Sequence, residues 1–202
     1  MGGQRPMTET AGSTDPRPQV SSALDQTQRQ VDALNADDLG RPTPCADYDV
    51  RTLLAHIIAV LRKLTAAGRG EDASAVTDPA TDITGGWSDE FRQARTGFEQ
   101  VWSADAVLDM NCTLPWATMP GREVLDTYTH EFTIHSWDLA RATGRLNDLD
   151  PTLAEAALDW FTTHVPADSR SDNGPFGPVV EVAADADVYT RLAGNAGRPV
   201  QK

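Results

Sequence analysis

The spacing of apolar positions along this chain is helical over most of its length. From about Pro18 to Asn35, Val20, Leu24, Thr27, Val31 and Leu34 recur at four- and three-residue intervals, the stripe of a helix facing a bundle. Gly40-Arg41-Pro42-Thr43-Pro44 interrupts the pattern, because prolines and glycine do not sustain a helix. Asp49 offers a side-chain oxygen as an N-cap, and the apolar run behind it predicts a second helix to about Ala67, closed by Gly68 and Gly70. Residues 68–87 are irregular and acidic and end at Trp87. Ser88 reads as the cap of a third helix with Phe91, Ala94, Phe98, Val101 and Trp102 inward.

Two prolines among mixed apolar residues make 109–121 an extended loop or short hairpin. A fourth helix, from about Gly121 to Ala142, stops at Gly144 and carries Val124, Leu125, Tyr128, Phe132, His135 and Leu139 on one broad face. Asp150-Pro151 places a capping residue before a proline at the first helical position, so a fifth helix spans about 151–164. Residues 1–15 are polar and aperiodic, and are expected to be a disordered N-terminal segment. Residues 16–202 are expected to form a single domain. The tail from Ser169 shows at most a short strand within 174–182. The fold class that follows is all-α: a four-helix bundle with an additional C-terminal helix and a short irregular or β-like tail.

Composition narrows the partners. With 202 residues and 40% hydrophobic content the chain can bury one good core. A formal charge of -13 argues against nucleic acid or an anionic membrane as partner. No apolar run approaches the roughly 20 residues of a membrane span, and the first residues lack a signal-peptide core, so a cytoplasmic protein is expected. Cys45 and Cys112 form no disulfide framework and no C-x-x-C pair. Lys63 and Lys202 are the only lysines among 17 basic residues, a bias that with abundant Ala and Asp suggests a GC-rich, actinobacterial genome.

The chemistry concentrates in two helices. Glu131 and His135 are four residues apart, about 40° around a helix and about 6 Å along it, so both can face one divalent cation. His56 interrupts the apolar stretch of the second helix and is a third ligand candidate. His130 and His135, five apart, diverge by about 140° and cannot share an ion, which excludes the zincin arrangement. Asp138 returns to the same stripe and is a candidate to fix an imidazole or orient an arginine from behind the ligands. Two His and one carboxylate make an open site, as a catalytic metal needs, and the set suits Zn2+, Ni2+, Mn2+ or Fe2+. Taken singly, each residue has a plainer reading. A Glu/His pair at this spacing is commonly a surface hydrogen bond, and a His beside an apolar stripe is commonly a satisfied core residue. Arg51 and Arg141 are candidates for meeting an anion or for ordinary ion pairs. His130 and His164 are expected at the surface or at helix ends, and Trp87, Trp102, Trp116, Trp137 and Trp160 in the core.

The run Thr43-Pro44-Cys45-Ala46-Asp47-Tyr48-Asp49-Val50-Arg51-Thr52-Leu53-Leu54-Ala55-His56 resembles the signature of the mycothiol-dependent maleylpyruvate isomerase N-terminal domain, within the DinB/YfiT-like metal-binding superfamily. Leu114-Pro115-Trp116, Met119-Pro120-Gly121, the stretch from His135 to Gly144, and Phe176-Gly177-Pro178-Val179-Val180 are similar to an actinobacterial subfamily of it. The resemblance implies a DinB-like bundle with zinc on His56, Glu131 and His135 and water in the open position. It implies a transferase or isomerase that uses mycothiol, or another low-molecular-weight thiol, on a small electrophilic substrate. No catalytic side chain is assigned: a metal-bound water or thiolate would act. The isomerase also carries a separate C-terminal domain that helps to hold the thiol, where this chain has a short tail after residue 165. A metal-dependent hydrolase, a non-catalytic metal-binding or stress-response module, and a bundle that forms a homodimer stay open as alternatives.

Overall fold

The computed structural model describes residues 15–45, 48–170 and 176–200. The N-terminal segment expected to be disordered lies outside the described residues, apart from Asp15. Four long helices form the bundle: α1 (Arg17–Asp32), α2 (Val50–Gly68), α3 (Trp87–Trp102) and α5 (Gly121–Thr143). Between α3 and α5 lie a short helix α4 (Asp105–Asp109) and a hairpin of β1 (Asn111–Thr113) and β2 (Thr118–Pro120). Each bundle helix packs on two others, in the ring α1–α3–α2–α5.

Local sequence explains the boundaries. Asp49 accepts from the Thr52 amide at 2.8 Å and so starts α2. Gly144 takes φ 74°, the left-handed conformation that ends α5 without a side-chain clash. Gly121 opens α5 where the chain presses against the Val107 carbonyl, leaving no room for a Cβ. The α2 stripe of Leu53, Leu54, Ile57, Ile58, Leu61 and Leu64 is buried against Leu24, Phe91, Phe98, Trp102, Leu125 and Phe132. Each fully buried Leu, Ile or Phe contributes about 1.5–3 kcal/mol relative to exposure. Trp102 donates its indole N–H to the Leu64 carbonyl at 3.1 Å, tying α3 to the end of α2.

The segment read as an irregular or β-like tail requires correction. Beyond α6 (Pro151–His164) the chain forms a further helix, α7 (Val188–Asn195), and the described residues there contain no strand. Tyr189, Leu192, Ala193 and Ala196 pack with Ala154, Ala157 and Phe161 of α6 and with Ile134 and Trp137 on the back of α5. This second apolar cluster makes α5 the shared wall of two layers, which is why so many of its side chains are buried. Two smaller expectations also fail. His130 is buried and its ring lies 5.0 Å from Trp160, because position 130 points at α6 and not at solvent. Trp116 is 59% exposed at the hairpin turn. No helix among the described residues is long and apolar enough to cross a membrane, and none of them forms a disulfide.

Candidate metal centre

Helices α2 and α5 bring His56, Glu131 and His135 together. One donor atom from each lies within 4.8 Å of the others. His56 Nε2 is 3.6 Å and His135 Nε2 3.4 Å from the same carboxylate oxygen, Glu131 Oε1. Donors about 2.1 Å from a tetrahedral ion are about 3.4 Å apart, so these two separations match what a metal would impose. The two rings meet edge to face with centroids 5.1 Å apart.

Each imidazole is held from behind by an aspartate. His56 Nδ1 lies 2.8 Å from Asp78 Oδ1, and Lys63 Nζ is 2.7 Å from the other Asp78 oxygen. His135 Nδ1 lies 3.0 Å from Asp138 Oδ2, and the buried Arg198 binds Asp138 through Nε and Nη2 at 3.2–3.3 Å. An ionised carboxylate only accepts, so Nδ1 carries the proton in both rings and each neutral ring directs its Nε2 lone pair at Glu131. Two lone pairs facing a carboxylate oxygen repel unless a proton or a cation lies between them. On His56 a proton meets this demand. Burial opposes charge on His56, but hydrogen bonds to Asp78 and Glu131 prevail and hold its pKa up at about 9. Burial likewise opposes the Glu131 carboxylate, yet the two imidazoles hold it well below the usual carboxylate range.

Asp138 is wholly buried and sits behind His135, on the nitrogen facing away from Glu131. Cys45, His135 and Asp138 form a second group of donors within 4.8 Å of one another. Arg51 is exposed and Arg141 half-buried, outside both groups. Sequence reasoning missed two residues. Asp78 lies in the irregular 68–87 segment, where no periodicity could place it. The available signal was on α2, where His56 and Lys63 are seven apart on one face and invite a shared acid. Arg198 follows α7 and had no local signal.

The protein is a helical bundle that presents two imidazoles and a carboxylate from facing helices. The chain belongs to the mycothiol maleylpyruvate isomerase N-terminal domain family, which residues 20–140 match. Uncharacterized proteins from two strains of Mycobacterium tuberculosis are each 29% identical over 168 residues, 83% of this chain and 89% of theirs. The fold is shared with the crystal structure of mycothiol-dependent maleylpyruvate isomerase, with a TM-score of 0.56 and 15% identity over 73% of this chain and 68% of that one. A histidine-to-alanine mutant of that isomerase aligns with a TM-score of 0.67 and 12% identity over 92% of this chain and 89% of the other. An overlap of that extent reaches beyond the bundle into the α6–α7 layer. The segment after residue 165 is therefore part of the shared fold and not a bare tail.

Proposed function

We propose that this protein is a metal- and thiol-dependent enzyme. In this reading His56, Glu131 and His135 hold a divalent cation, zinc before Ni2+, Mn2+ or Fe2+. The open side of the site takes mycothiol, or another low-molecular-weight thiol, for a transferase or isomerase reaction on a small electrophile. The observation that carries the reading is the convergence of two imidazole Nε2 atoms on one carboxylate oxygen, each ring braced by its own aspartate. The thiol comes from family membership and from the mycothiol dependence in the names of the structural relatives.

The chain's own residues have definable tasks. Asp78 and Asp138 fix both tautomers and raise the basicity of the nitrogens facing the site. Glu131 with two neutral imidazoles leaves a divalent cation one net positive charge, which favours an anionic sulfur over a neutral ligand. A divalent cation held by His56, Glu131 and His135 would supply Lewis acidity that favours the anionic form of a bound thiol at neutral pH. Tyr128 stands one turn before Glu131, and burial together with the Glu131 charge pushes its pKa up to about 12. It therefore stays protonated at neutral pH and does not act as a base. The engagement of Asp138 with Arg198 and the far side of His135 supports an open site, since a structural zinc site is usually closed by a fourth protein ligand.

Cobalt-substituted protein titrated with mycothiol tests this reading. A sulfur-to-cobalt charge-transfer band is expected, absent with the hydroxyl analogue of the thiol and absent in His56→Ala. A cobalt spectrum that ignores the thiol would overturn the thiol-dependent reading in favour of a hydrolytic or non-catalytic site.

A further inference from the structure

One sequence motif, Leu114-Pro115-Trp116 to Met119-Pro120-Gly121, contributes no donor to the candidate metal site, yet its tryptophan is hydrogen-bonded to a residue one helical turn before Glu131. Trp116 occupies the third position of a turn closed by the Leu114 amide on the Ala117 carbonyl at 2.8 Å. The turn is well anchored. Cys112 and Leu114 are buried, the Thr113 and Thr118 hydroxyls meet at 3.1 Å, and the Gly121 amide donates to the Met110 carbonyl at 2.9 Å. On this hairpin a tryptophan, the largest residue type, is left 59% exposed. Its orientation is also fixed, because the indole N–H donates to the Tyr128 hydroxyl at 3.2 Å. Tyr128 is buried, lies on α5 one turn before Glu131, and senses the charges of Glu131 and Asp78. The indole is thus a rigid, wet aromatic face joined by one hydrogen bond to the residue next to the metal ligands.

We propose that Trp116 is a stacking platform for a polyhydroxylated ring carried by the thiol that enters the site. This rests on the thiol-dependent reading above and deepens it. Mycothiol bears its cysteine on an amino sugar joined to a cyclitol, and the C–H faces of such rings pack on indole while their hydroxyls stay hydrated. An exposed aromatic held in one orientation loses little entropy on binding, which is the property a platform needs. The metal site would then hold the sulfur, and Trp116 the ring end of the same molecule, so the pair selects a ring-bearing thiol over a small one.

Calorimetry on the metal-loaded protein separates the two claims with three probes: mycothiol, N-acetylcysteine, and the amino sugar–cyclitol fragment without cysteine. Trp116→Ala is expected to weaken mycothiol and the ring fragment by about tenfold and to leave N-acetylcysteine unchanged, while Trp116→Phe keeps most of the affinity. Equal affinity of mycothiol for wild type and Trp116→Ala would overturn the proposal. So would an equal loss for N-acetylcysteine, or a change in oligomeric state as the main effect of the substitution. Failure of N-acetylcysteine to bind wild type would count against the thiol reading, whereas retention of the ring fragment by wild type and its loss in Trp116→Ala would still support the platform.

Discussion

Asp78 and Asp138 act alike from opposite sides of the site. Each accepts the Nδ1 proton of one histidine, and each is held in turn by a cation, Lys63 or Arg198. Losing one of these acceptors frees a ring to rotate or change tautomer without removing a ligand. Asp78→Asn is therefore expected to weaken zinc binding by about 10–100-fold, measured by competition with a chromophoric chelator, and unchanged affinity would contradict the bracing role. The titration of the ligand-free site gives a second residue-level prediction. His56 is raised from 6.5 to about 9, so its contribution to stability is complete below 6.5 and is lost as pH rises through 9. Glu131 is depressed from 4.5, so its contribution is present above 4.5 and is lost as pH falls further. The melting temperature of chelator-treated protein should then fall between about pH 6.5 and about pH 9, and zinc uptake across that window should release protons. A melting temperature that climbs through the window would contradict the assignment. The shared face of Glu131 and His135 was readable from helical spacing, because the pair obeys a local rule, whereas His56 stood only as a candidate on another helix until the resemblance joined the three. The aspartate in the loop and the arginine beyond α7 were not readable, because only tertiary packing brings them to the rings.

At the scale of elements, α2 and α5 position the chemistry, and their sequences show why. Asp49 fixes the start of α2 and so the rotation that turns His56 inward, while Gly121 and Gly144 set the two ends of α5. Gly121 has no space for a side chain against Val107, so Gly121→Ala should cost about 1–3 kcal/mol through overpacking. Denaturant titration should show this as a lower midpoint with an unchanged slope, and wild-type stability would contradict the close approach. The five helices that periodicity predicted are present, with ends displaced by a few residues, as at α1 and α3. Helix α7 escaped because it has only eight residues and two small ones near its end, although Asp187 caps it on the Thr190 amide. Trp116 and His130 were misplaced for a related reason. Burial depends on what lies beyond each position: α6 covers His130 through Trp160, whereas Trp116 stands 59% exposed at the turn of the hairpin.

For the whole molecule, the second apolar layer links the end of the chain to the site. Helix α7 packs on α6 and the back of α5, and Arg198 just past it reaches Asp138 and through it His135. The C-terminal layer thus braces His135 through Asp138 as well as covering α5. The net charge of -13 is spread over an exterior laced with ion pairs and leaves the choice of small-molecule partner to the site itself. The proposed chemistry requires a metal at the meeting point of His56, Glu131 and His135. Elemental mass spectrometry of protein purified without an affinity tag measures that directly, on wild type and His135→Ala. About one equivalent of zinc or another divalent metal per chain is expected in wild type and its loss in the variant. A wild-type protein that takes up no metal even after reconstitution with zinc would contradict it.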